Sequence, residues 1–496
     1  MSSDLQRGTD IARYYQDLLD NPPSLISYNP DAIKTLIERA KKGLSPKDVF
    51  ALSSLAGPLS SKGWETVEHE SFYFPEDNGP HYDFRTESWS INCNFYIPGH
   101  KNPITVLFIF TRKGTVPGYM RRSGQHGKDS QVVFSQTYVT IPSKNHHYSF
   151  SSYSDGNSVT MNSKPFEIST PGNFSIKSES ADSLFPMDIV LKNDSNMDMH
   201  INLTSPTNPP SFAQGNNGCA PCISGVGYRY YSCPNIVAQG SVKVESNTFD
   251  KITGTAWMDH DWESRINPLG YTKNYYLRAF RNVGQFFTTP RINIKWNSFF
   301  IRLDNNTEIT SAIMPAPDKN TKDNFDLTTT IMVYNDGKKI NKKEIYGQVN
   351  YIGFMKSPTG TTYPIGWNLS FPDEDLNIRI TPTVTNQFCY SGDNAEFMGA
   401  GIVLNGTKDG KNVSGTGFVK CMNYESDEEF INNSLKSLDY TSEHINDIDQ
   451  YFYPVKPNGW LFSLSLFITV LPLLLIILVI VFMVLIIQMN LKDKKI

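Results

Sequence analysis

The stretch Gly254 to Ser264, GTAWMDHDWES, gathers Trp257, Asp259, His260, Asp261 and Trp262 within six positions. Histidine is the side chain whose charge changes near neutral pH, an aspartate can orient it, and an indole offers an apolar wall or a π-face for a cation. Residues of these types in this pattern point to acid–base chemistry on an apolar molecule. The same residues admit another reading, a hydrogen-bonded plug beneath tryptophans, because a buried polar group is costly unless satisfied.

The elements that must hold these residues are strands. GSVKVESNTFDKITGTAWM reads as a β-hairpin in which Val242, Val244, Phe249 and Ile252 line one side and Asn247 sits in the turn. Alternation continued past Gly254 puts Trp257, Asp259 and Asp261 on one face and Met258, His260 and Trp262 on the other. The histidine and the second tryptophan therefore share a face.

Around this stretch the chain divides by composition. With 496 residues, 12% aromatic and 39% hydrophobic, it can bury more than one core. A net charge of −4, with no basic stripe and no zinc-finger spacing, argues against nucleic-acid binding. Residues 1–62 read as a helical segment. Ile11, Tyr14, Tyr15, Leu18 and Leu19 recur at helical spacing, a second helix starts at Asn29-Pro30 and ends at Gly43, and a third follows Ser45-Pro46. These helices are expected to pack against the domain that follows.

From Gly63 to Met422 short strands separated by turn signals dominate, among them ITVLFIF, FFIRL, TTTIMVY and NIRITPTV. Asn335-Asp336-Gly337 and Asp409-Gly410 are hairpin turns. At about 150 residues per barrel the stretch holds two in tandem, over 63–294 and 295–424. Residues 425–459 form an acidic, polar stalk. Residues 460–489 read as a transmembrane helix, because Leu461 to Gln488 contains no charged residue and exceeds the roughly 20 needed to cross a bilayer. Residues 490–496 are a basic tail.

The expected localisation is a single-pass membrane protein anchored at its C-terminus. The N-terminus lacks the apolar core of a signal peptide, which favours a tail anchor with the large domain in the cytosol. Lys492, Lys494 and Lys495 favour a cytosolic tail, and eight Asn-x-Ser/Thr sites point to the lumen, so the side of the membrane stays open. Of six cysteines, Cys219 and Cys222 form a CxxC, compatible with a thiol–disulfide oxidoreductase, a disulfide or plain thiols.

Four separated motifs resemble the AttH-like proteins, relatives of carotenoid 1,2-hydratase. FPEDNGPHYDFRTESW (residues 74–89) resembles the family's FPxDHGxHPxYRTEWWY, and GVGYRYYSCP (225–234) its SYYYSxP element. GTAWMDHDW (254–262) is similar to GTAWMDHEW, and WNSFFIRLDNNTEI (296–309) to WDWFxLxLDDGxEL. The resemblance implies a mostly β fold of two tandem lipocalin-like barrels and a pocket for an apolar or polyketide-like small molecule. Activities in the wider family include hydration of a carotenoid double bond, and fungal relatives include Diels–Alder cyclases.

Carried over, His260 and Trp262 match the family's His-x-Trp and Asp259 would orient the histidine. Trp89, Tyr230, Trp257, Trp296 and Asn297 would line the ligand. The acid of the WDWF element is replaced by Asn297, which cannot donate a proton as an acid, and the next aromatic by Ser298. The paired tryptophans of the first motif are reduced to Trp89, and Asp304, a possible substitute acid, reads more simply as a turn residue. The expectation is a membrane-anchored double lipocalin that binds a lipid, terpenoid or polyketide-like molecule, with hydratase-, isomerase- or hydrolase-type activity and no cofactor or metal. The alternative is a non-catalytic surface or virion protein that reuses the barrels.

Overall fold

The structure, a computed structural model, describes residues 3–20, 30–56, 63–65, 71–121, 127–172, 174–193, 197–206, 211–214, 219–220, 228–263, 296–313, 326–335, 340–391, 394–397, 401–422 and 424. The expected membrane span and stalk lie outside these residues, as does the turn after Asn335. Among the described residues no helix is long and apolar enough to cross a membrane.

Three helices open the chain: α1 (Ser3–Asp20), α2 (Pro30–Lys41) and α3 (Pro46–Ala56). Ser45 caps α3 by a reciprocal pair of bonds. Its Oγ accepts the Asp48 N–H at 3.2 Å, and the Asp48 carboxylate accepts the Ser45 N–H at 3.1 Å. Gly43, at φ +97°, turns the chain after α2. The apolar faces of the helices, with Ile11, Tyr15, Ile37, Val49 and Leu52, bury against Val132 and Phe134. They pack on the outside of the first sheet.

That sheet has 13 strands. The first four are β1 (Thr86–Tyr96), β2 (Ile104–Gly114), β3 (Gln131–Ile141) and β4 (His146–Asp155). Five shorter ones follow: β5 (Thr160–Ser163), β6 (Phe166–Thr170), β7 (Phe174–Ser178), β8 (Met187–Asn193) and β9 (Met197–Thr204). β10 (Phe212–Ala213) and β11 (Cys219–Ala220) pair with β12 (Tyr228–Val244), which leads into β13 (Asn247–Glu263). The order β4-β3-β2-β1-β13-β12-β9-β8-β7-β6-β5 puts β13 between β1 and β12, near the middle of a curled sheet.

The second sheet has 10 strands. It starts with β14 (Trp296–Leu303), β15 (Thr307–Ile313), β16 (Asp326–Asn335) and β17 (Ile340–Lys356). β18 (Thr362–Phe371), β19 (Leu376–Pro382), β20 (Phe388–Ser391) and β21 (Asn394–Phe397) follow, then β22 (Ile402–Lys408) and β23 (Lys411–Met422). β14 pairs with β15 and also with β23, which joins the two ends of the run through β22. Asp409 (φ 52°) and Gly410 (φ 69°) make the expected two-residue turn between Lys408 and Lys411.

The β12–β13 hairpin differs from the sequence expectation in two details. Val244 pairs with Asn247, so Glu245 and Ser246 form the turn and Asn247 begins the strand. Phe249 and Ile252 are three apart, and strict alternation would put them on opposite faces. A register shift between Gly240 and Val242, with Lys251 at φ 53°, returns both to the core side.

β1 explains how the sheets meet. Trp89, Ile91, Cys93 and Phe95 enter the core of the first sheet, and the intervening Ser90, Asn92 and Asn94 are also buried. Alternation of this kind ordinarily marks a strand with one wet face. Here the polar face is covered by the second sheet: the Lys420 ammonium donates to Ser90 Oγ at 2.8 Å, and Trp257 and Phe212 cluster with Phe300 and Phe418. The seam between the sheets is therefore lined by polar atoms as well as rings.

Candidate functional site

β13 presents two chemically distinct faces. In register, Trp89 and Tyr231 flank His260, whereas Ser90 and Ser232 flank Asp259. Alternation separates the residues as the sequence pattern requires: His260 and Trp262 turn into the first sheet, Trp257 and Asp259 toward the seam.

On the inner face His260 is fully buried, with its ring stacked 4.5 Å from Trp89. Its Nε2 bonds Glu87 Oε1 at 2.9 Å, and its Nδ1 lies 3.3 Å from the Tyr231 hydroxyl, which donates to Asn78 Oδ1 at 2.9 Å. The expectation that Asp259 orients His260 is corrected: Asp259 points to the opposite face, and Glu87 takes that part. Glu87 Oε1 also meets His81 Nδ1 at 2.6 Å. Its Oε2 accepts from the His81 backbone N–H at 2.9 Å and from Arg112 Nε at 2.8 Å. Arg112 in turn donates to Gln131 and to the carbonyls of His81 and Phe84.

The charges here compensate one another. Burial alone would raise Glu87, but Arg112, His81 and His260 hold its carboxyl well below the usual range. Burial opposes protonation of His81, yet Glu87 and Asp77 raise its pKa to about 9. Burial lowers that of His260 and outweighs the bond to Glu87. At neutral pH the cluster holds an imidazolium, a carboxylate, a guanidinium and a neutral imidazole.

The side chain of His81 is the partly open member, at 18% exposure. It stacks on Trp262 at 3.8 Å beside Phe72, Phe74 and Tyr231. One ligand atom each from His81, Glu87 and His260 lies within 4.8 Å of the others, a set that could hold a metal ion. Both imidazole nitrogens, however, sit at hydrogen-bond length from a single carboxylate oxygen. That is shorter than the edge of about 3.3 Å implied by metal–ligand bonds of about 2.0–2.1 Å in a tetrahedron. Arg112 already neutralises the carboxylate, so the donor set fits protons better than a dication.

The seam face lacks such compensation. Asp259 is buried, and its Oδ1 accepts from Ser232 Oγ at 2.6 Å and Trp257 Nε1 at 2.9 Å. Its Oδ2 is buried without a hydrogen bond of good geometry, and the Tyr230 hydroxyl is the further group close enough to stabilise the carboxyl. Burial raises the Asp259 pKa and pushes Asp261 up to about 8, against the pull of Lys420. Trp257 stands 5.5 Å from Phe300, and Phe300 stacks on Phe418 at 4.3 Å. Tyr230, opposite Asp261 in register, belongs to this face. The seam thus combines carboxyl groups biased toward their neutral form with aromatic walls and one ammonium.

The expected ligand-lining residues therefore divide. Trp89 joins the inner face, and Tyr230 and Trp257 join the seam. Asn297 belongs to neither: buried in the second sheet, it donates to Tyr351 Oη at 3.3 Å and accepts from Tyr424 Oη at 2.9 Å. Trp296 opens β14, and its side chain lies outside the described residues, as do those of Cys219 and Cys222. Asp304 is the turn residue expected, accepting from the Ser414 N–H at 3.1 Å and from its hydroxyl at 2.7 Å. Sequence reasoning assigned no role to His81, Glu87, Arg112 or Lys420. Glu87 was findable, because two positions before Trp89 on a strand is the same face.

Residues 65–424 match the family model described as AttH-like. The chain belongs to the AttH-like family. An AttH protein from Nitrosomonas europaea is similar in structure, with a TM-score of 0.53 at 17% identity over 73% of this chain and 99% of that one. Kievitone hydratase from Nectria haematococca is similar at 0.50 and 16%, over 74% of this chain and 98% of that one. No curated protein matches the chain. At these identities the likeness establishes a double-lipocalin fold, and the AttH-like motifs supply its central strands β1, β12 and β13.

Proposed function

We propose that this AttH-like protein binds an apolar small molecule of the lipid, terpenoid or polyketide-like class in the seam and adds water to, or removes it from, a carbon–carbon double bond. The observation that carries the proposal is the buried Oδ2 of Asp259, which lacks a well-formed hydrogen bond, on a carboxyl whose other oxygen is fixed by Ser232 and Trp257. A neutral carboxylic acid held there can donate its proton to an alkene carbon. Trp257 and Phe300 offer π-faces to the resulting cation. The carboxylate left on Asp259, balanced by Lys420, recovers a proton from the incoming water as the C–O bond forms. The name of the structural neighbour kievitone hydratase supports the reaction class.

Asp259 is thus the proposed proton-transfer residue, with Trp257 and Tyr230 at the ligand and neutral Asp261 beside it. His260 and Trp262, expected from the motif to act directly, serve in this reading to brace the strand that carries Asp259. The uncharged run Leu461 to Gln488 would tether the barrels to a membrane, which brings the seam close to a store of apolar substrate.

The test is incubation of the full-length protein in detergent with isoprenoid and prenylated alkenes in ¹⁸O-labelled water. A product heavier by one labelled water is expected, with Asp259→Asn reducing its rate by about 10²–10⁴-fold. An unlabelled panel, with no compound retained by the native protein in mass spectrometry, would refute the proposal. The second reading, a non-catalytic scaffold, draws support from the enclosed His260, and it predicts a seam that retains nothing.

A further inference from the structure

A thiol and an imidazole meet at another point of the seam, where β4 of the first sheet faces β20 of the second. Cys389 Sγ lies 3.9 Å from His147 Nε2. Hydrogen bonding fixes the tautomer of that imidazole from several residues away. Gln387 Nε2 donates to the carbonyls of Val384 and Gly401 at 2.7 and 3.0 Å, and its Oε1 accepts the Gly401 N–H at 2.9 Å, which leaves one orientation for the amide. Thr140 must then direct its hydroxyl proton to Gln387 Oε1, at 3.1 Å. The Thr140 oxygen, 2.9 Å from His147 Nδ1, can accept only from an N–H there. The lone pair of His147 therefore sits on Nε2, facing the thiol.

The surroundings select the ligand. Leu107, Ile109 and Tyr138 pack with Cys389, and the Tyr138 ring lies parallel to that of His147 at 5.8 Å. Burial lowers the His147 pKa to about 4, so the imidazole is neutral at pH 6.5 and its lone pair is free to accept the thiol proton as the C–S bond forms. Cys389 is itself buried, but close to the surface: His147 is half-buried, His146 and Asn145 before it are exposed, and so are Thr385 and Asn386. A soft nucleophile with an adjacent neutral base and apolar walls suits an uncharged electrophile.

We propose that Cys389 and His147 form a base-assisted thiol, assembled only when the two sheets are docked, that takes an apolar α,β-unsaturated carbonyl compound as a covalent ligand. The thiol proton passes to His147 Nε2 while a sulfur electron pair forms the C–S bond at the β-carbon. The π-electrons of the double bond move to the enolate, whose α-carbon recovers the proton from the imidazolium. Nothing leaves and nothing is oxidised or reduced.

The probe is N-ethylmaleimide, applied to the folded full-length protein at pH 6.5, followed by peptide mapping over time. Cys389 is expected to label at least tenfold faster than Cys93, Cys233 and Cys421, which are buried as Cys389 is, have raised pKa values and serve as internal controls. His147→Gln should bring Cys389 down to the rate of the controls. Thr140→Val keeps the imidazole but removes the acceptor that fixes its tautomer, and should slow labelling several-fold. Labelling of Cys389 no faster than of Cys421, or at the parental rate in the Thr140→Val protein, overturns the proposal. So does rapid labelling seen only after loss of the near-ultraviolet dichroism of the folded state.

Discussion

The two faces of β13 handle buried charge in opposite ways. On the inner face Glu87 is matched by Arg112 and His81, and each of its oxygens has two partners. On the seam face Asp259 and Asp261 share one ammonium, from Lys420, and an oxygen of Asp259 lacks a well-formed hydrogen bond. A compensated cluster holds a strand in place, whereas an uncompensated carboxyl holds a proton that it can give up. The contrast gives one side of the strand to stability and the other to the proposed chemistry, although a single five-residue run, Trp257 to Asp261, supplies the groups at its centre.

Breaking the inner face should have the largest effect on folding. Glu87→Gln leaves Arg112 buried without its carboxylate and is expected to cost about 3–5 kcal/mol, read from urea unfolding at pH 7. A loss below about 1 kcal/mol would mean that the cluster is not the brace inferred here.

The next effect depends on pH. His81 has a folded-state pKa raised to about 9 from an ordinary 6.5, so its contribution is complete below pH 6.5 and is lost as pH rises through 9. The melting temperature should fall across that window, and His81→Gln should remove this part of the slope.

Asp261 sets a second pH-dependent effect, which runs in the same direction: its ionisation costs the folded state stability. Its pKa is raised from 3.8 to about 8, so the folded state loses stability as pH climbs between those values. Asp261→Asn, which cannot ionise, is expected to raise the melting temperature at pH 8 and leave it nearly unchanged at pH 4. A destabilised Asp261→Asn protein at pH 8 would show that the carboxylate is compensated after all, and the contrast between the faces would fail.

Much of this arrangement was legible in the sequence. Strand alternation assigned Trp257 and Asp259 to one face and His260 and Trp262 to the other, and Asp409-Gly410 marked its hairpin, because both rest on local backbone geometry. The partner of His260 was not legible, since Glu87 lies 173 positions away and reaches it through strand pairing that no spacing rule records. The seam was hidden for a different reason. Polar residues alternating with apolar ones, as Ser90, Asn92 and Asn94 do, ordinarily mark a solvated face, and nothing local announces that a second sheet covers these. Asn297 misled in the same way: its motif position suggested the pocket, but alternation with Phe299 and Ile301 turns it into the second core.

The last strand, β23, is hydrogen-bonded along both edges, to β14 and to β22, and carries Lys420 two residues before its end. Any pull exerted on the chain beyond Met422 therefore loads two ladders in shear, and the tension reaches the ammonium that faces Asp259 before it reaches the rest of the ring. A force applied to the tail would thus be felt at Lys420 and the carboxyls it faces, because of the way the ring is closed.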